Sequence, residues 1–267
     1  MFYFPGIHPG RDRIIAATGA GGKSSCLNYL SRQLQQQGKR VLLTTTTRIY
    51  RPAPDHLGSL IYRLIDHDLS TLLWHSPPPG TITVAGHPDS NPEKLLGIEP
   101  SLPKQLIEHH IYDNILIEAD GSKHLPLKAP SEKEPVIPEN CQVVIGITGW
   151  QGLQQKAAPA HTHRWPYFSK VTGLQSGDSF TAEALCRLIN SDNGLFKNTH
   201  KPCRKIWLIN QLDKQEDRIH ACHLARQVQL LSPDIPHCLL ARFGCSHPWL
   251  KSADAYFVSS YDPAKEQ

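Results

Sequence analysis

The chain has 267 residues, 39% of them hydrophobic and 19% charged, a balance that excludes a disordered tail and a coiled coil. A net charge of +4 with no long Lys/Arg run argues against a nucleic-acid partner. No stretch approaches the about 18 consecutive apolar residues of a membrane span, and Met1 to Gly10 lacks the pattern of a secretory signal. The seven cysteines (26, 141, 186, 203, 222, 238 and 245) contain no CxxC pair. An odd, scattered set points to reduced thiols and a cytoplasmic location.

Residues 13–17 (RIIAA) read as a buried strand that ends in glycine-rich sequence. Leu27, Leu30 and Leu34 recur at helical spacing over residues 23–37, and Gly38 is a natural helix stop. Residues 39–43 (KRVLL) follow as a second strand, completing a βαβ unit that builds a parallel sheet. Further strands are expected at residues 81–85, 114–118 (NILIE), 143–147, 205–209 (KIWLI) and 237–241. Helices are expected at residues 102–109, 180–189 and 217–231. The alternation predicts a three-layer α/β fold with a mostly parallel, doubly wound sheet. It reads as one domain, residues 1–267, with a helical insertion at residues 150–201.

The sequence Ala17-Thr18-Gly19-Ala20-Gly21-Gly22-Lys23-Ser24 leaves a strand and opens a helix. In that context it predicts a phosphate loop. Gly19, Ala20, Gly21 and Gly22 curl backbone N–H groups around phosphate, Lys23 reaches the β- and γ-oxygens, and Ser24 ligates Mg²⁺, with Ser25 next along the helix. Ala17 stands where such loops usually begin with glycine. A glycine-rich connection without ligand is the alternative.

The strand at 114–118 runs into Glu118-Ala119-Asp120-Gly121, in the crevice where open α/β sheets bind ligands. Glu118 and Asp120 can hold Mg²⁺ or orient water, and the Gly121 amide can meet the γ-phosphate. This Glu-x-x-Gly pattern resembles that of the SIMIBI group of P-loop proteins, which includes the nickel and cobalamin-enzyme chaperone GTPases. Thr44 to Thr47 are candidates for a switch, with Thr46 toward Mg²⁺, or equally a strand end of high β-propensity. Asn210-Gln211-Leu212-Asp213-Lys214 resembles the Asn-Lys-x-Asp element of GTPases. Asp213 would read guanine and Asn210 would steady the loop and touch the base, although Gln211 replaces the usual lysine.

Lys123, Lys128 and Glu134 lie on a proline-stiffened loop that reads either as a second-substrate site or as a solvated surface. Cys222-His223, His237-Cys238 and Cys245-Ser246-His247 match no standard zinc spacing. Taken in order, GAGGKSS, LLTTTTRI, LIEADGSKHLPLKAPSEKEPVIP and NQLD resemble the YqeC family, from about Arg13 to Lys214. That resemblance implies a P-loop fold and a role in maturing selenium-dependent molybdenum hydroxylases or their cofactor. It also marks His163 and Arg164 as second-substrate contacts. The expected ligands are Mg²⁺ with GTP or ATP. The expected partners are a selenium or molybdenum-cofactor species and a target hydroxylase, with homodimerisation open. Three activities fit: NTP hydrolysis, phosphoryl transfer to an anionic acceptor, or NTP-gated delivery.

Overall fold

The computed structural model describes residues 4–51, 62–66, 68–233 and 238–243. The first elements are β1 (Ile14–Gly19), α1 (Lys23–Gln36), β2 (Val41–Thr45), β3 (Arg48–Tyr50), β4 (Tyr62–Ile65), α2 (Thr71–Trp74) and β5 (Ile82–Ala85). Next come β6 (His87–Pro88), β7 (Lys94–Leu96), α3 (Leu102–Glu108), β8 (Asn114–Glu118), β9 (Leu127–Lys128) and β10 (Val143–Gly149). The last are α4 (Trp150–Leu153), β11 (Thr162–His163), α5 (Trp165–Thr172), α6 (Ala182–Asn190), β12 (Arg204–Asn210), α7 (Gln215–Leu231) and β13 (Cys238–Leu240). Among these described residues, no helix is long and apolar enough to cross a membrane.

Eight strands pair in parallel in the order β13-β12-β10-β1-β8-β2-β5-β4. Period-two alternation divides the core between the two faces of the sheet. Ile15 and Ala17 of β1 pack with Leu27, Leu30 and Leu34 of α1 on one face. Ile14 and Ala16 point the other way, to a cluster holding Leu106 of α3, Leu185 and Leu188 of α6, and Val228 of α7. Both faces are therefore covered. The chain has the three-layer α/β fold that its sequence predicts, of P-loop type. Each buried leucine stabilises it by about 1.5–3 kcal/mol.

Helix α1 stops where expected. Gly38 takes φ +73°, its N–H donates to the Gln35 carbonyl at 2.8 Å, and the Lys39 N–H donates to Leu34 at 3.1 Å. That reversal closes the last helical turn at a left-handed residue. The second strand starts later than residue 39, because the Arg40 N–H and guanidinium are taken by the Asp113 carboxylate. It runs on to Thr45, since Thr44 and Thr45 pair with Ile117 and Glu118. Four features were not anticipated: β4, helix α2, the antiparallel β3-β7-β6 sheet and the two-residue β9-β11 pair. With two to four residues each, they are too short to display a period.

Of the cysteine–histidine pairs noted in the C-terminal third, His237, Cys245 and His247 lie outside the described residues. Among the described residues, no group of three or more His, Cys, Asp or Glu side chains is arranged to hold a metal ion.

Candidate phosphate and metal site

Strand β1 delivers its last residue, Gly19, into a turn that opens α1 at Lys23. The turn needs its glycines. Gly19, Gly21 and Gly22 take φ of +88°, +86° and +124°, and a Cβ on Gly22 would lie 2.2 Å from the Asn210 amide nitrogen. That nitrogen donates to the Gly21 carbonyl at 2.7 Å, which pins the loop to the end of β12. Ala17, by contrast, is a fully buried strand residue paired with Glu118 and Ile145, so a methyl group there is harmless. No side chain caps α1 and no acid lies in its first turn. Its leading N–H groups and the positive end of its dipole are left for an anion.

The neighbouring strand β8 ends at Glu118 and supplies the counter-charges. Lys23 is 3% exposed, and its ammonium lies 3.3 Å from Asp120 Oδ1 and 3.6 Å from Glu118 Oε1, donating to the Gly19 carbonyl at 2.7 Å. Burial alone would depress this amine. Asp120 and then Glu118 overcome that effect and hold its pKa above the usual lysine value. The Ser24 hydroxyl donates to Glu118 Oε2 at 2.7 Å, and the Gly19 N–H donates to Asp120 Oδ2 at 3.1 Å. Lys23, Ser24, Glu118 and Asp120 thus converge at the C-terminal edge of the sheet.

This donor set suits Mg²⁺. Two carboxylates and a hydroxyl are hard oxygen ligands, and Mg²⁺ completes its shell with phosphate and water rather than with an all-protein cage. The threonines hold structure. Thr44 donates to the Ala85 carbonyl at 2.7 Å, Thr45 to Glu118 at 2.7 Å and Thr46 to Val136 at 2.6 Å. The Thr46 hydroxyl is therefore engaged with the proline-rich segment rather than offered to a metal.

From Asp120 the charges continue outward. Lys128 is buried, and its ammonium meets Asp120 Oδ2 at 3.0 Å, Glu134 Oε2 at 2.8 Å and the Gly121 carbonyl at 2.5 Å. Two hydrogen bonds and the ion pair to Asp120 fix the ammonium, so Lys128 acts here as a strut. The Arg164 Nε reaches the same Glu134 oxygen at 3.1 Å. Burial pushes the Glu134 carboxyl up, but Lys128 and Arg164 outweigh it and hold the group below the usual carboxylate range. The β9-β11 pair sets His163 beside Lys128. Burial, reinforced by Lys128 and Arg164, pushes the His163 pKa down to about 4, so its imidazole is neutral at physiological pH. Lys123 is exposed, at φ +51°, and its charge adds to the downward push on His163. Gly121 has open space around it.

The loop after β12 divides its work. Asn210 is 1% exposed, donates to Gly21 and accepts from the Phe243 N–H at 2.9 Å, so both ends of its amide are occupied in steadying loops. Asp213 is open, with its side chain 46% exposed, and faces Arg242 Nε at 3.2 Å and Gln151 Nε2 at 3.3 Å. Gln211 turns toward Gly149, where a Cβ would stand 2.3 Å from its Oε1. Arg242 was not singled out from sequence. Its position just past the last strand, at the ligand-binding edge of an α/β sheet, is the signal that points to it.

The YqeC protein family profile matches residues 15–166, which span β1, the phosphate loop, the Glu118 to Gly121 turn and the Lys128-Glu134-Arg164 cluster. The chain belongs to the YqeC family. It is 36% identical over 220 residues to the Escherichia coli (strain K12) protein whose name reads "Uncharacterized protein YqeC", covering 82% of this chain and 84% of that relative. The family match stops just past Arg164. The Asn210 to Asp213 loop lies beyond it.

Proposed function

We propose that this YqeC-family chain binds a Mg²⁺–nucleoside triphosphate at residues 19–25 and cleaves its γ-phosphate. The observation carrying this reading is the contact between Ser24 and Glu118 at 2.7 Å, with Lys23 held between Glu118 and Asp120. A glycine turn that merely joined a strand to a helix would have no need of a buried lysine and two carboxylates from the next strand. Residues 19–25 would cradle the phosphates, Lys23 would exchange its carboxylate partners for phosphate oxygens, and Ser24, Glu118 and Asp120 would hold Mg²⁺. When bound, Mg²⁺ neutralises charge on the β- and γ-oxygens. Glu118 or Asp120 then orients the attacking oxygen and takes its proton.

Glu118→Gln and Asp120→Asn should each slow phosphate release about 100-fold or more while weakening nucleotide binding far less, as expected of groups acting in the transition state. Steady-state phosphate release and equilibrium titration together read this. Two amide variants with wild-type turnover would reduce these carboxylates to anchors for Lys23.

A second reading is transfer of the phosphoryl group to an anionic acceptor. It draws on the Lys128, Glu134, His163 and Arg164 cluster, which joins the phosphate site through Asp120. Free phosphate or a phosphorylated acceptor among the products separates the two. From the family resemblance we place the activity in the maturation of a selenium-dependent molybdenum hydroxylase or its cofactor.

For the base, Asp213 is the reader and guanine the favoured ligand, with Arg242 yielding the carboxylate to the N1 and N2 hydrogens. Asp213→Asn should weaken GTP binding by about 10-fold or more and improve binding of xanthosine triphosphate, because a site built for a hydrogen bond rejects an unmatched partner. Competition among GTP, ATP and xanthosine triphosphate checks this. Equal GTP and ATP affinities that the substitution leaves unchanged would leave Asp213 as a partner of Arg242 alone.

A further inference from the structure

The N-terminal edge of the parallel sheet, opposite the phosphate loop, carries a second reactive arrangement. Cys141 and Cys203 immediately precede the segments that form β10 and β12, and those strands pair with Val143 opposite Arg204. The Arg204 N–H donates to the Gln142 carbonyl at 2.9 Å, so the two cysteines flank a single rung between the strands. Both pack against the same core face at the ends of adjacent strands. Both also line a cavity of about 610 Å³, together with Asp12, Lys104, Glu139 and Arg204. Cys141 is 6% exposed, whereas Cys203 is half-buried and the more accessible of the two.

We infer that Cys203 and Cys141 form a reactive dithiol that undergoes exchange with small-molecule disulfides entering this cavity. The two sulfurs differ in role. The neighbouring Cys141 thiol and, against the effect of burial, the Lys205 and Arg204 cations hold the Cys203 thiol below the usual range. Burial first, then Cys203, holds Cys141 above it. The thiolate is the nucleophile, so the accessible Cys203 attacks and the buried Cys141 resolves.

In the first step the Cys203 thiolate, its proton having passed to solvent, attacks one sulfur of a disulfide RSSR. A mixed disulfide forms and RS⁻ leaves. Cys141 then gives its proton to that RS⁻ and attacks the Cys203 sulfur, expelling the second RS⁻, which takes a proton from solvent. The protein loses two electrons and gains a Cys141–Cys203 bond, and RSSR is reduced to two RSH. The site lies at the other end of the strands from Lys23 and does not depend on the nucleotide reading.

The test exposes the reduced full-length chain to glutathione disulfide, then quenches with an alkylating reagent under denaturing conditions and maps the peptides. The expected product is a Cys141–Cys203 cross-link, with Cys203 reacting about tenfold faster than Cys186, which is also half-buried but whose thiol burial pushes up. Cys141→Ser should trap glutathione on Cys203, and Cys203→Ser should leave Cys141 unmodified. Nucleotide affinity should be the same in both variants as in the wild type. The inference is overturned if Cys203 reacts no faster than Cys186, or if wild-type chain accumulates glutathione on Cys203 without the cross-link. The rate comparison needs no variant, so it holds even where a substitution harms folding.

Discussion

Lys23→Ala is expected to cost about 2–5 kcal/mol of Mg²⁺–nucleotide binding, the usual penalty for removing one partner of a buried charge pair. At 1.4 kcal/mol per tenfold, that raises Kd by roughly 30- to 4,000-fold. Two effects act together. The phosphate oxygens lose their ammonium, and Glu118 and Asp120, which face Lys23 at 3.6 and 3.3 Å, are left directed at a polyanion. Lys23→Arg should rescue poorly. The ammonium stands in a site where its side chain is 1% exposed, with three acceptors around a point charge, and a planar fork cannot meet them in the same space. Folding should survive the alanine change, since Asp120 keeps Lys128 at 3.0 Å. Calorimetric titration of wild-type and variant chains reads the ratio. An unchanged affinity would remove the phosphate-loop assignment, whatever the turnover.

The largest stability effect is expected at Lys128. Its side chain is fully buried between Asp120 and Glu134, and Lys128→Met leaves those carboxylates and the Gly121 carbonyl without it. Breaking a buried pair from one side costs about 3–5 kcal/mol. The lower end applies here, because Asp120 retains Lys23 and Glu134 retains Arg164. For a chain of this size about 3 kcal/mol lowers Tm by roughly 6–12 °C. Adding Glu134→Gln should recover part of the loss, since it removes the charge of a carboxylate that has lost its lysine. Thermal unfolding of the two single variants and the double variant measures this coupling. A Lys128→Met variant that melts with the wild type would show that the strut carries no stability.

The same residue marks the limit of reading by sequence. Lys128 and Glu134 can be picked out as charges on a proline-rich loop, but sequence leaves open whether that loop is solvated. Burial decided it, because β9 pairs with β11 from a segment about 35 residues downstream and closes over the ammonium. The same pairing placed His163 and Arg164, which entered only through family resemblance.

Local chemistry was legible along the chain. Apolar runs gave the strands, with residues 114–118 matching β8 at both ends, and the leucine spacing gave α1. Glycine at 19, 21 and 22 announced a turn that only glycine can make at positive φ. From these the three-layer fold and the meeting of Lys23 with Glu118 and Asp120 follow, because a P-loop-type sheet places β1 beside the strand that carries the carboxylates.

Contacts between distant segments were not legible. Asn210 was expected to steady its loop and touch the base, and the partners of its amide turned out to be Gly21 and Phe243. Thr46 reads from sequence as a candidate toward Mg²⁺ or equally as part of a strand end, and its hydroxyl is held by Val136. Asp213 meets Arg242, and Cys141 and Cys203 come to neighbouring strand ends, across separations that no periodicity spans. Sequence by itself determined which backbone each segment adopts, since φ preference and apolar spacing act over a few residues. Tertiary structure alone decided which polar groups find each other, because the parallel sheet brings together strand ends that are far apart along the chain.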